Sequence, residues 1–145
     1  MSAQYQHTEF GYNYRMTDIS AAIGREQLKK LPNFNARRRE IAERYNSELS
    51  DLVITPKNRR GHVFHQYTIR SDKRDELREF LLNRKINTGI YYPSLLYTYP
   101  SMKEYQSSCP NAEILVKEVL SLPVHPALSD SDVFEVISSI KAFFD

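Results

Sequence analysis

VFHQYTIRSDKRDELREFLLNRKINTGIYY, residues 63–92, is the stretch of sequence that decides the fold class. Residues 63–69 alternate as a strand does, with four side chains on one face: Val63, His65, Tyr67 and Ile69. From Asp72 the apolar residues recur at helical spacing, and residues 86–92 return to the β-branched and aromatic content of a strand. A helix between two strands is typical of an α/β domain.

The residues ahead of this stretch predict two helices and a short strand. Thr17 can cap a first helix, in which apolar residues recur at helical spacing as far as Leu31. Pro32 lacks a backbone N–H, so we expect it to kink or break this helix before a second helical pattern that extends to Leu49. Residues 52–55 indicate a short strand because they are rich in β-branched side chains and precede a proline.

The residues that follow the deciding stretch predict a long loop and two closing helices. Residues 93–110 contain three prolines and several tyrosines without a regular period, which is typical of a functional loop. Asn111 can cap a helix that continues through Leu120. Ser129 and Asp132 resemble a capping box at the start of the last helix.

These elements predict an α/β fold of the α+β small-domain kind. We expect a kinked helix pair, a short and mainly antiparallel sheet of about three strands, and flanking helices packed on the sheet. The 145 residues of the chain fit a single core. A content of 41% hydrophobic and 26% charged residues is that of a folded globular domain and excludes a disordered chain.

The charge balance argues against a polyanionic partner. The sequence has 20 Lys and Arg against 18 Asp and Glu, and a net charge of +2 is too small to indicate nucleic acid binding. No run of about 18 apolar residues indicates a membrane span, and the polar, aromatic start lacks the apolar core of a signal peptide. The one cysteine, Cys109, permits no internal disulfide, so we expect a cytoplasmic protein.

The common motifs of nucleotide-binding folds, hydrolases and zinc enzymes are absent from the sequence. His62 and His65 are three residues apart on a predicted strand, where they point to opposite faces and cannot easily share one metal ion. We therefore expect no metal site, and we expect His65 to be half-buried beside Val63 and Tyr67. The arginine run at residues 37–39 is able to bind a diphosphate, but on a surface helix it favours a solvated face with ion pairs.

A sequence resemblance covers essentially the whole chain from Gly11. Its most specific part is GYNYRMTDI at residues 11–19, with AAIG at residues 21–24 and QL at residues 27–28. This part resembles the GxNxRMT-D-AAxGxxQL segment of the DegT/DnrJ/EryC1/StrS family of pyridoxal-phosphate-dependent nucleotide-sugar aminotransferases. The resemblance continues in the family's order through RRREIA at residues 37–42, HQY at residues 65–67, Gly89, Tyr92-Pro93 and LSLPVHP at residues 120–126.

The resemblance implies the C-terminal domain of a fold-type-I homodimer that transfers an amino group, usually from glutamate, to a keto sugar attached to a nucleotide. The cofactor of the family is pyridoxal phosphate. Its Schiff-base lysine and the acidic residue that pairs with the pyridine nitrogen belong to a large N-terminal domain. No lysine of this chain lies in a matching segment, so we nominate no catalytic residue and expect the chain alone to be inactive. Residues 1–16 then form an extended segment with a cofactor-phosphate motif, and residues 17–145 form the small domain.

Four positions of the chain are candidate site residues by this resemblance. Asn13 is the asparagine of the GxNxR motif, which in the family reaches across the dimer to the phosphate of the partner's cofactor; an amide NH2 suits phosphate oxygens. Arg15 is a candidate for anionic substrate or cofactor groups, or for an ion pair that anchors the segment. Tyr92 and Tyr97 are candidates for substrate binding, because tyrosine can stack on a base or bond a sugar hydroxyl. They lie in the match to the family's YPxPLH loop, where Leu95 replaces the second proline and Tyr97 replaces a common histidine.

Two other interpretations stay open at the level of sequence. The chain is alternatively a stand-alone module that binds a sugar nucleotide or a partner protein without catalysis. The second alternative is that the chain is one part of a split enzyme, which a separate N-terminal half with the lysine completes in trans. An upstream coding segment that contains the lysine would discriminate between these possibilities.

Overall fold

The computed structural model describes residues 9–12 and 14–145. In chain order the elements are helix α1 (Asp18–Leu49), strand β1 (Tyr67–Arg70), helix α2 (Arg74–Asn83), two 3-10 helices (Leu96–Thr98 and Pro100–Tyr105), helix α3 (Pro110–Glu118), strand β2 (Val119–Leu122) and helix α4 (Asp130–Phe144). The chain divides into two compact units, Met1–Pro32 and Asn33–Asp145. The combination of helices with a short antiparallel sheet confirms the predicted fold class.

Helix α1 begins where the sequence predicts it and continues farther than the sequence predicts. The Oγ1 atom of Thr17 accepts a hydrogen bond from the backbone N of Ser20 at 3.3 Å, which is a capping contact. A break at Pro32 is wrong, because one helix runs through Pro32 to Leu49. The missing N–H of Pro32 would have bonded the carbonyl of Leu28, and both residues are exposed, so water can satisfy that carbonyl.

The core of the second unit is formed by buried apolar side chains from α1, α2, α4 and both strands. Its largest members include Ile41, Tyr45, Leu49, Phe64, Tyr67, Ile69, Leu77, Leu81, Leu120, Val133 and Ile140. The hydroxyl of Tyr45 donates to the carbonyl oxygen of Pro123 at 2.9 Å, and that of Tyr67 donates to Oδ1 of Asn46 at 2.7 Å. Burial raises the pKa of both tyrosines, since it disfavours the phenolate.

The sheet is smaller than predicted and includes a segment that the sequence assigned to a helix. β1 pairs antiparallel with β2, with Tyr67 opposite Leu122 and Arg70 opposite Val119. Residues 52–55 and 86–92 are not strands and contribute single bridges, Ile54 to Arg70 and Gly89 to Ser121. The strand predicted from residue 63 begins only at Tyr67, and the helix predicted through Leu120 ends at Glu118, since Val119 is already extended at ψ 134°.

The remaining helices begin close to the predicted positions. α2 begins at Arg74 rather than Asp72, and α3 is preceded by Cys109 rather than capped by Asn111. The capping box of α4 is confirmed: the Ser129 side chain accepts from the backbone N of Asp132 at 3.1 Å, and the Asp132 carboxylate accepts from the backbone N of Ser129 at 2.9 Å. Within the described residues, no helix combines the length and the apolar content that a bilayer span requires.

Candidate functional site

Three loops of the second unit meet around an open cavity of about 410 Å³, which we call the loop cavity. Residues 65–66 precede β1, residues 87–89 and Tyr91 follow α2, and residues 121–125 include the end of β2. Arg38 of α1 completes the lining. The loop cavity therefore brings together three of the segments that carry the family resemblance and that lie far apart in sequence.

Backbone pairing fixes the loops that line the cavity. The N–H of Gly89 donates to the carbonyl of Ser121 at 3.0 Å, and the N–H of Ser121 donates back at 2.7 Å. A side chain at Gly89 would clash with the ring of Tyr91 unless that ring moved. The ring of Tyr91 thus packs onto the backbone of Gly89 at one wall of the cavity.

Arg38 ties two of these loops together. Its Nη1 atom donates to the carbonyl oxygens of His65 and Val124, both at 3.2 Å, and makes a longer contact of 3.4 Å with that of Phe64. Phe64 is fully buried and has a φ of 46°, a left-handed conformation that costs a bulky residue on the order of 1–3 kcal/mol. The Phe64 N–H donates to Nδ1 of His62 at 2.9 Å. Arg38 and His62 therefore hold a strained turn at the cavity wall.

The prediction that the arginine run forms a solvated face is thus wrong for Arg38, which bonds backbone carbonyls. For Arg37 the prediction is incomplete, because this residue also has distant partners. The Nη2 atom of Arg37 donates to the carbonyl of Leu128 and to Oδ1 of Asp130, both at 2.8 Å. These partners lie more than 90 residues away in sequence. Helical periodicity cannot reveal them, because they depend on where α1 packs in the tertiary structure.

The two histidines near β1 lie in a loop and not on a strand. The ring of His62 contacts that of Phe64 in a tilted arrangement, with ring centroids 4.1 Å apart. His65 is exposed, so the prediction of a half-buried side chain is wrong: the strand that was to bury it begins two residues later. In the described part of the chain, no group of three or more His, Cys, Asp or Glu residues is arranged to hold a metal ion.

The two candidate substrate tyrosines have different surroundings. Tyr92 is exposed and makes an edge-to-face contact with Tyr91, at a centroid distance of 6.2 Å. Tyr97 is partly buried, and its hydroxyl donates to Oε1 of Glu113 at 2.9 Å. The same oxygen accepts from the backbone N of Cys109 at 3.3 Å. Partial desolvation and the hydrogen bond to Glu113 raise the pKa of Tyr97. The same hydrogen bond joins the loop of residues 93–109 to α3.

The N-terminal candidates lie in the first unit. Asn13 lies outside the described residues, so the cofactor-phosphate contact predicted for it stays a prediction. Arg15 is exposed. Tyr12 and Tyr14 stack with centroids 5.2 Å apart, and both are more than four-fifths exposed. The first unit thus presents aromatic rings and a guanidinium to its surroundings.

Comparison with known proteins tests the family membership that the motifs suggest. The sequence profile of the DegT/DnrJ/EryC1/StrS aminotransferase family matches residues 1–141. The chain belongs to this family. Its loop cavity is therefore a feature of a DegT/DnrJ/EryC1/StrS protein, and three of the family's recurring segments form its walls.

Individual relatives agree with the family match. The chain is 40% identical to a pleiotropic regulatory protein of Geobacillus stearothermophilus and 38% identical to the GDP-perosamine synthase of Escherichia coli O157:H7, over 97% of the chain in both cases. Among solved structures, NtdA of Bacillus subtilis with bound cofactor PMP has a TM-score of 0.83 and 25% identity over 96% of the chain and 35% of NtdA. The chain spans 40% of the length of the two curated relatives.

Sequence reasoning does not bring Arg38 and His125 together at the loop cavity that both of them line. In the sequence, Arg38 is one member of a charged run and His125 is part of a motif. The HQY and LSLPVHP segments both belong to the family resemblance, and this is the one indication in the sequence that they share a site. The sequence does not show that β1 pairs with β2, and this pairing brings the two segments to one place.

Proposed function

We propose that this chain is the C-terminal part of a pyridoxal-phosphate-dependent aminotransferase that acts on nucleotide-linked keto sugars in the cytoplasm. The observation that carries the proposal is the family match over residues 1–141 in a chain that spans 40% of the length of its curated relatives. The name of the 38%-identical GDP-perosamine synthase supports a nucleotide-sugar substrate. The PMP bound to NtdA supports a pyridoxal-type cofactor.

The hydrogen-bond donors of Asn13 and Arg15 suit the phosphate end of the cofactor. An exposed guanidinium at Arg15 and the amide of Asn13, two residues earlier, are groups that suit phosphate oxygens. We assign Asn13 to the cofactor phosphate and Arg15 to anionic groups of cofactor or substrate. When bound, pyridoxal phosphate supplies an electron sink for the carbanion that amino-group transfer requires. The 145 residues contain no segment that resembles the family's Schiff-base lysine, so we infer that the chain alone is inactive.

The surface of the first unit supports packing against further protein. Among the described residues, its exposed large apolar side chains are Phe10, Tyr12, Tyr14, Met16, Ile19, Ile23, Leu28 and Leu31. So many exposed apolar groups within one short segment are unusual for a free-standing domain. We propose that the remainder of the aminotransferase and a second subunit cover them, with glutamate and the nucleotide sugar bound in the cleft that they complete.

The change Asn13→Ala tests the phosphate role. We would place the chain in a chimera that replaces the matching 40% of E. coli GDP-perosamine synthase. In the chimera, Asn13→Ala should weaken cofactor binding by about 1.5–3 kcal/mol, as expected for a hydrogen bond to a charged group. Equilibrium titration with the cofactor measures this. Thermal melts of the 145-residue chain should barely change.

The control is Asn58→Ala, which removes an amide from an exposed loop and should leave cofactor affinity unchanged. If Asn13→Ala instead lowers the melting temperature of the isolated chain and of the chimera equally, with cofactor affinity unaltered, Asn13 caps or turns the chain. The cross-subunit phosphate role would then be wrong. The family assignment would stand, since it does not depend on Asn13.

A further inference from the structure

His62 lies outside the loop cavity but is hydrogen-bonded to the turn that forms part of its wall. Its side chain is exposed and does not line the cavity, whereas those of His65 and Gln66 do. Neither of these two lining side chains makes a hydrogen bond to the described residues. The backbone of the turn at residues 62–65 therefore decides where the two side chains lie.

The backbone of Phe64 needs support to keep the shape of this turn. Its φ of 46° lies in the left-handed region, and a bulky residue keeps such a conformation only where the surrounding structure holds it. The Phe64 N–H has one hydrogen-bond partner among the described residues, the Nδ1 atom of His62 at 2.9 Å. Without that acceptor, the backbone of the turn would be held only by Arg38 at its carbonyl oxygens.

The imidazole of His62 is placed by the turn that precedes it. The backbone N of His62 donates to the carbonyl oxygen of Arg59 at 3.0 Å, and Gly61 has a φ of 84°, which glycine adopts without a steric cost. The imidazole also contacts the ring of Phe64, with centroids 4.1 Å apart. Its Nδ1 atom thus meets a backbone N–H two residues farther along the chain, as the side-chain oxygen of asparagine does in an Asx turn.

Acceptance at Nδ1 fixes the chemical state of the His62 ring. A ring nitrogen that accepts a hydrogen bond carries no proton, so the imidazole is neutral and its proton lies on Nε2. Asparagine places an amide oxygen where histidine has Nδ1, whereas the longer side chain of glutamine places its amide near the position of Nε2. The turn therefore requires an acceptor at one position and does not require a ring or a charge.

We propose that His62 is a positioning residue for the loop cavity. By accepting a hydrogen bond from the Phe64 N–H, it holds the left-handed turn, and the turn places His65 and Gln66 in the cavity wall. His62 acts through the backbone and does not itself line the cavity. The importance of this wall for amino-group transfer rests on the proposed function, whereas the positioning is a property of the 145-residue chain.

The test compares His62→Asn with His62→Gln by NMR of the ¹⁵N-labelled 145-residue chain. In His62→Gln, the amide hydrogen of Phe64 should exchange with solvent about five- to tenfold faster, as loss of one net hydrogen bond predicts. The backbone amide signals of residues 65–66 should shift in the same variant. In His62→Asn, the exchange rate and the signals should stay close to those of the original chain, because the amide oxygen replaces Nδ1 as the acceptor.

The control is Arg60→Gln, which changes an exposed side chain of the same loop that makes no hydrogen bond to the described residues. It should leave the Phe64 amide unchanged. Equal effects of the Asn and Gln variants of His62 would overturn the proposal, and so would unchanged signals of residues 65–66 in His62→Gln.

The ring nitrogens of His62 in the original chain supply a test without any substitution. Their NMR spectrum at about pH 8, above the range in which histidine usually titrates, should show an unprotonated Nδ1. A proton on Nδ1 would overturn the proposal. None of these results would bear on the Asn13 experiment, because none of them uses the cofactor.

Discussion

At the scale of single residues, the arginine run shows what sequence periodicity can and cannot predict. The run was correctly placed on a helix, but the partners of its side chains come from distant parts of the chain. Arg37 and Arg44 converge on Oδ1 of Asp130, at 2.8 and 2.9 Å. The hydrogen bond from Arg37, reinforced by the charges of both arginines, lowers the pKa of Asp130.

The change Asp130→Asn should make the stability of the folded chain less sensitive to low pH. Because the folded pKa is lowered, the ionised carboxylate contributes stability above its ordinary pKa of 3.8, and this contribution is lost as pH falls through the folded value. The melting temperatures of the original and variant chains should therefore differ near neutral pH and converge as the pH falls through the lowered pKa of Asp130. Asp51→Asn is the control, since the Asp51 carboxylate makes no hydrogen bond or ion pair with the described residues. A difference that stays constant with pH would refute this role of Asp130.

At the scale of elements, helix starts are predictable to within about two residues, whereas β1 is shorter than predicted and β2 is not predicted. Thr17 and Ser129 cap helices where the sequence places them, because a cap uses only local donors and acceptors. β2 was missed because Val119 and Leu120 continue the helical spacing of α3. Only pairing with β1, about 50 residues away, makes those residues extended. Pro32 was misjudged because its missing hydrogen bond lies on an exposed face.

The change Ser129→Ala should destabilise the chain by about 1 kcal/mol, the usual cost of losing an N-cap. The Ser129 hydroxyl satisfies the backbone N–H of Asp132, which would otherwise lack a partner in the first turn of α4. Urea denaturation measures the loss. In the same helix, Ser138→Ala changes a hydroxyl that makes no hydrogen bond to the described residues, so it should be neutral or slightly stabilising. Equal losses in both variants would mean that the cap does not contribute.

At the scale of the whole molecule, the sequence predicted the fold class and the family but not the site in three dimensions. Arg15, Tyr92 and Tyr97 remain candidates that rest on the resemblance. The loop cavity emerges only from the tertiary arrangement, since its lining residues are separated by up to 87 positions between Arg38 and His125. Large apolar side chains at the start of α1 are exposed: Ile19 is 76% exposed, Ile23 59% and Leu28 66%.

The isolated chain should therefore self-associate. We expect the weight-average sedimentation coefficient to rise with protein concentration, because association removes the apolar side chains at the start of α1 from water. The double change Ile19→Glu and Ile23→Glu should suppress the rise. Phe134→Glu is the matched control, since Phe134 is 63% exposed on α4 in the second unit. A strictly monomeric chain that also fails to bind a hydrophobic dye would contradict the proposed packing.

The most direct test of the proposed function is to map where pyridoxal phosphate becomes covalently attached. The 145-residue chain and the chimera with the remainder of GDP-perosamine synthase are incubated with the cofactor, reduced with borohydride and analysed by peptide mass spectrometry. We predict a stoichiometric adduct on one lysine of the synthase-derived part of the chimera, and only scattered, substoichiometric labelling of the chain alone. A near-complete adduct on a single lysine of the 145-residue chain would contradict the conclusion that this part of the aminotransferase does not carry the cofactor lysine.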